Sequence, residues 1–176
     1  PDIVAYGKML TGGYLTMAAT LANKKIYDSF SGEFNEWRHL FHGHTYTGNP
    51  LAASVANENF NMYQKNNLIK KIQSTSKVFT DYHQRISEID IVGDIRHKGM
   101  LMGIELVSDK NKKTPIRTKK SINKVFFEEG IKHGIYFRTL GNIVMLVPPL
   151  AITEKELNLL LDRTIKTIEA VRIQII

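Results

Sequence analysis

The chain has 176 residues, 43% hydrophobic and 23% charged, the balance of a soluble globular protein of one ordinary domain or parts of two. It contains no cysteine, which excludes disulfides, thiolate catalysis and cysteine-based metal sites. The net charge of +7 comes from 24 basic and 17 acidic residues, yet pairs such as Lys24-Lys25 and Lys70-Lys71 are scattered rather than gathered into a stripe, so no nucleic-acid partner is expected. The longest apolar runs are too short to cross a bilayer and no signal peptide opens the chain; the expectation is a cytoplasmic protein with no membrane partner.

In chain order, Ile3 to Tyr6 and Thr16 to Leu21 read as short strands around a glycine turn, and Lys24 to Phe30 as a helix. Ser31 to His44 lacks periodicity and reads as a loop. Asn49-Pro50 is a helix start, with asparagine as cap and proline at the first helical position, and the helix runs to about Lys65. From Leu68, the residues Ile72, Phe79, Tyr82, Ile86 and Ile89 recur at helical steps and predict one long amphipathic helix. Ile91 to Ile95 and Met100 to Val107 alternate as antiparallel strands, and Ser108 to Arg117 reads as a polar loop. A helix is predicted over Thr118 to His133, with Gly134 as its terminal glycine. Ile135 to Arg138 and Ile143 to Val147 predict a hairpin around Gly141-Asn142. Thr153 and Glu156 form a capping box for a last helix with Leu157, Leu161, Thr164 and Ile168 facing inward. A break near residue 67 separates pieces of a larger α/β layer from a self-contained helix–sheet–helix unit.

Five positions carry chemical interest. Lys8 lies between Ile3-Val4-Ala5-Tyr6 and Met9-Leu10, beside Gly7, which leaves the backbone open to a close approach. Two readings stand: a stem snorkelling to the surface, or a desolvated amine tuned to attack a carbonyl and form a Schiff base. Thr45 precedes the Asn49-Pro50 helix start, and its hydroxyl could donate to a phosphate drawn by free helix amides, or could merely complete a turn. Arg138, among Tyr136, Phe137 and Leu140, is either a stacked surface group or a fork awaiting a carboxylate. His42 and His44 form an His-x-His pair, but Phe41, Tyr46 and Gly48 add no strong third ligand, so no metal is expected.

Pro-Asp-Ile-Val-x-x-Gly-Lys-x-Leu-x-Gly-Gly at residues 1–13 resembles the cofactor-lysine signature of the class III, fold-type I, pyridoxal-phosphate-dependent aminotransferases. His42-Gly43-His44-Thr45-Tyr46-Thr47-Gly48-Asn49-Pro50-Leu51 is similar to that family's second landmark. Phe137-Arg138-Thr139-Leu140-Gly141-Asn142, followed by Val147-Pro148-Pro149-Leu150, is similar to a third. They stand in family order, so the resemblance covers nearly the whole chain.

The resemblance implies an α/β fold: residues 1–67 as the C-terminal part of the large pyridoxal-phosphate-binding domain, and residues 68–176 as the small α+β C-terminal domain. It implies Lys8 as the catalytic, cofactor-bearing lysine, His44 and Thr45 at the cofactor, and Gly43 and Arg138 at the substrate. Thr45 would reach the cofactor phosphate of a partner subunit, which makes a homodimer with a shared active site. Among family branches the chain is most similar to the one that aminates 8-amino-7-oxononanoate to 7,8-diaminononanoate for biotin. There an arginine matching Arg138 holds the keto-acid carboxylate, although Thr139 replaces the usual proline. Met145 stands where glutamate-using relatives carry an arginine, which turns the expectation for the donor to S-adenosylmethionine or lysine. The same resemblance implies that this chain is about the C-terminal half of a longer protein and inactive by itself. The alternatives are another class III ω-aminotransferase, an aminomutase, or a non-catalytic fragment acting as an interaction domain.

Overall fold

The structure, a computed structural model, describes residues 1–175. It divides into two compact units, Pro1–Leu68 and Ile69–Ile176.

The first unit opens with β1 (Ile3–Tyr6), paired antiparallel with β2 (Ala19–Ala22) from Ile3↔Ala22 to Tyr6↔Ala19. β2 starts three residues later than its predicted start at Thr16, because β1 ends at Tyr6 and nothing remains for Thr16 to Ala18 to pair with. Between the strands lies a single 3₁₀ turn, Lys8–Leu10. Helix α1 (Lys24–Ser29) is capped by Asn23, whose side chain accepts from Ile26 N–H at 3.1 Å. The stretch predicted as loop contains one short 3₁₀ turn, Phe34–Glu36, closed by reciprocal Glu33 and Glu36 contacts. Helix α2 runs Pro50–Lys65 from an Asn49 cap, as its start signals predict. Among the described residues of this unit only Thr11, Ala52 and Ala56 are buried.

The second unit holds the main core. Its helices α3 (Leu68–Thr75) and α4 (Lys77–Ser87) replace the single long helix expected from the apolar spacing. At Ser76 the ladder tightens: Phe79 N–H bonds Ser76 O three residues back, while the Ser76 hydroxyl donates to Gln73 O. A serine that bonds the preceding turn competes with the helix ladder, and apolar spacing carries no trace of that.

The sheet has the order β3-β4-β7-β6, formed by β3 (Val92–Lys98), β4 (Leu101–Asp109), β6 (Arg138–Leu140) and β7 (Ile143–Leu146), all pairs antiparallel. A two-residue strand β5 (Thr114–Pro115) pairs with the end of β4 inside the predicted polar loop. β6 begins at Arg138 rather than Ile135, because the Ile135 N–H is already bonded to Gly130 O at the end of α5 (Ile122–Lys132). That helix starts four residues after the predicted Thr118, where the Ser121 hydroxyl accepts from Lys124 N–H. Gly134 follows its end at φ +71°, a left-handed cap position.

One sheet face buries Met102, Ile104, Leu106, Val144 and Leu146 against Phe79 and Ile86 of α4, Phe126 of α5, and Leu157, Leu161 and Ile168 of α6 (Glu154–Ile175). The Thr153–Glu156 capping box that opens α6 is present in both directions. Thr164 is also fully buried, its hydroxyl turned back onto Leu160 O at 2.8 Å.

Candidate active site

Lys8 has φ +48°, a left-handed conformation that costs a non-glycine residue roughly 1–2 kcal/mol. The turn is anchored from α2: Asn59 Nδ2 donates to Met9 O at 2.7 Å and to Leu10 O at 3.0 Å. Beyond it Thr11 is 2% exposed, its hydroxyl bonded to Leu15 O, and Gly12 and Gly13 follow at φ +59° and +86°. The expected apolar enclosure of the amine is not formed by this chain. Lys8 is exposed, and so are Ile3, Tyr6 and Met9, because the β1–β2 hairpin turns both its faces outward. Among the described residues no carboxylate pairs with Lys8.

Gly43, His44 and Thr45 lie on the exposed segment leading into α2. His44 and Thr47 close a turn on themselves: His44 N–H donates to Thr47 Oγ1 at 3.0 Å, and Thr47 N–H to His44 O at 3.0 Å. His44 Nδ1 accepts from Tyr46 N–H at 3.2 Å, which fixes the imidazole locally. The N–H and hydroxyl of Thr45 make no hydrogen bond among the described residues, so both donors remain available to an anion. The helix contributes less than its sequence suggests. Asn49 Oδ1 takes the amides of Leu51 and Ala52, Ala53 N–H bonds Asn49 O, and Pro50 has no N–H. The start of α2 therefore offers an anion its dipole but no free amide, and the expectation of phosphate-binding helix amides is corrected. None of the described hydrogen bonds joins Lys8 to Gly43, His44 or Thr45.

Arg138 lies in the second unit, on the sheet face away from the core. The register sets it directly opposite Met145, and Met145 opposite Gly103. Gly103 leaves that strip open; a Cβ there would lie 4.0 Å from Met145 Sδ. Arg138 is exposed and pairs with no carboxylate among the described residues. Its neighbour Thr139 uses a donor that proline lacks, for its N–H and hydroxyl both reach Asn123 Oδ1, at 3.2 and 3.4 Å. Spacing along the sequence gave no sign of the Arg138–Met145 opposition, which depends on turn length, or of Asn59, which reaches across about fifty residues. Among the described residues no three His, Asp or Glu side chains gather as a metal site, and no helix is long and apolar enough to cross a membrane.

Residues 1–168 match the family model for class-III aminotransferases, and the chain belongs to that family. The adenosylmethionine-8-amino-7-oxononanoate aminotransferase of Methanocaldococcus jannaschii is 45% identical over 169 residues, 96% of this chain and 37% of that protein. The Geobacter sulfurreducens protein of the same name is 39% identical over 171 residues, 97% of this chain and 38% of its own length. The crystal structure of the M. jannaschii enzyme superposes with a TM-score of 0.90, covering 97% of this chain and 39% of that one. The chain thus spans a little over a third of the length of the relatives it matches.

Proposed function

We propose that this chain supplies part of the active site of a pyridoxal-phosphate-dependent aminotransferase that moves an amino group from S-adenosylmethionine to 8-amino-7-oxononanoate, giving 7,8-diaminononanoate for biotin. The observation that carries the reading is the 45% identity over 96% of the chain to a relative bearing that name. In this reading residues 1–67 belong to the large cofactor-binding domain and residues 68–176 are the small C-terminal domain, a division supported by the two compact units Pro1–Leu68 and Ile69–Ile176.

The donor set suits the cofactor. Lys8 offers an amine without an ion-pair partner, which suits it to hold an aldehyde, and Thr45 offers a hydroxyl and an N–H for phosphate oxygens. When bound, pyridoxal phosphate supplies the electron sink that lets a carbon next to the amine lose its proton. The chain's own tasks are positional. As a free amine, Lys8 Nζ would take up and return the proton at the substrate carbon that bears the amino group. Thr45, with His44 and Gly43 beside it, holds the cofactor of a partner subunit, so the working form is a homodimer. Arg138 takes the distal carboxylate of the keto acid through its fork of donors. Met145, directly opposite Arg138, offers no guanidinium to clamp a donor carboxylate, and Arg96, beyond Gly103 in the same cross-strand row, is already paired with Asp94 at 2.9 Å; this supports a donor other than glutamate, with lysine the alternative to S-adenosylmethionine. The absence of membrane-spanning helices among the described residues is compatible with a cytoplasmic enzyme.

The test is a donor-by-acceptor screen of the enzyme with pyridoxal phosphate, reading 7,8-diaminononanoate by mass spectrometry. Product with S-adenosylmethionine or lysine supports the reading. Turnover only with unrelated ω-amino donors and aldehyde acceptors would assign it instead to another class III ω-aminotransferase.

A further inference from the structure

We infer that Asn59 is a positioning residue for Lys8: its carboxamide, reaching from the middle of α2, holds the left-handed turn that presents the lysine amine. This rests on the proposed cofactor role of Lys8. Four observations on the first unit converge. Lys8 sits at φ +48° without being glycine, a strained conformation that contacts from outside the turn help to hold. Both Nδ2 hydrogens of Asn59 are committed to that turn, at 2.7 Å to Met9 O and 3.0 Å to Leu10 O, the two carbonyls that follow Lys8. The other side of the carboxamide meets Gly12, where a Cβ would lie 3.3 Å from Asn59 Oδ1 at a backbone φ of +59°. Finally, asparagine is a weaker helix former than alanine in a helix interior, so α2 gains nothing from it locally.

The clamp bonds Met9 O, which the turn's own amides also use, and Leu10 O, which they do not. Thr11 N–H is directed at Met9 O, and Gly12 N–H reaches the same oxygen at 3.4 Å, a weak contact. Without Asn59 those amides hold the turn alone, and Lys8 is free to relax toward ordinary backbone angles. The amine would then sample many positions relative to a bound aldehyde, which slows its covalent capture and its proton transfers.

The experiment compares Asn59→Ala and Asn59→Asp with the parent enzyme, in the apo and cofactor-loaded forms. Alanine favours the helix, and aspartate keeps the size of the side chain while removing both donors at neutral pH, so at least one variant reports on a folded α2. In the apo form, amide hydrogen exchange at Thr11 and Gly12 should accelerate roughly tenfold in both variants, the effect of losing hydrogen bonds of ordinary net strength. The rate at which added pyridoxal phosphate and borohydride label Lys8, located by peptide mapping, should fall by a similar factor. In turnover, kcat should drop while KM for donor and acceptor stays put. Unchanged exchange, unchanged Lys8 labelling, or an Asn59→Asp variant that behaves like the parent would each overturn the assignment. Labelling that persists at another residue in Lys8→Ala would instead sink the role of Lys8, and the exchange data would still decide whether Asn59 holds the turn.

Discussion

Truncating Arg138 separates a carboxylate fork from a surface ornament. Arg138→Ala removes the guanidinium but leaves the backbone of β6 paired to Met145, and the side chain is exposed, so little packing is lost. Melting temperature should therefore barely move, because exposed substitutions usually stay within about 0.5 kcal/mol. The effect on the keto acid is of another order once the bound acid shields the pair from water, since losing one partner of a buried, hydrogen-bonded charge pair costs about 2–5 kcal/mol. At about 1.36 kcal/mol per factor of ten, kcat/KM for 8-amino-7-oxononanoate should fall between roughly thirtyfold and a few thousandfold. Stopped-flow measurement of each half-reaction separates acceptor from donor. Donor kcat/KM should stay near the parent value. A converse substitution sharpens the result: Met145→Arg places a second guanidinium on the directly opposed position, where Cβ atoms lie about 5 Å apart, and should weaken the acceptor site by repelling Arg138. Equal losses in both half-reactions of Arg138→Ala, or a clear drop in melting temperature, would refute the fork and leave a packing role.

Other expectations follow from the same geometry. Lys8→Ala should abolish the visible band of lysine-bound cofactor and any borohydride-reducible adduct, read by absorbance and peptide mapping; a surviving adduct at another residue would show the wrong lysine was chosen. Leu161→Ala, fully buried in α6, should destabilise the second unit by about 2–5 kcal/mol in a urea titration, and a smaller loss would mean the core closes over the gap. Hydrogen bonds from Lys132 and then Gln174 hold the Glu129 carboxyl below its ordinary 4.5, so its folded value lies under its unfolded one. That contribution is complete above about pH 4.5 and lost as pH falls through the folded value, so Glu129→Gln should flatten the acid limb of a melting-temperature profile. An acid limb identical to the parent's would place the sensitivity elsewhere.

Much of the fold is legible locally because its boundary signals are local. Asn49-Pro50, Gly134 and the Thr153–Glu156 pair act within a turn of their own position, and each lies where its chemistry demands. Ser76 breaks the long helix through a hydroxyl contact with no periodic signature, and the β5 pairing depends on where β4 ends. The candidate site divides the same way. Lys8, Thr45 and Arg138 stand out through their neighbours in sequence, whereas their surroundings do not. The exposure of Lys8 and the grip of Asn59 arise from the three-dimensional course of the chain, whereas the amides that Asn49 consumes follow from its own place as cap.

The strand order of the second unit also sets a sequence of events during folding. β3–β4 and β6–β7 are hairpins closed over a few residues, of the kind that form in about 1–10 microseconds. The seam between them, from Met102↔Leu146 to Glu105↔Ile143, joins residues some forty positions apart. Docking one preformed hairpin on the other across that seam carries the entropic cost of closing the intervening chain, which includes α5. The central pairing of β4 with β7 is therefore expected to follow the closing of the two hairpins that it joins.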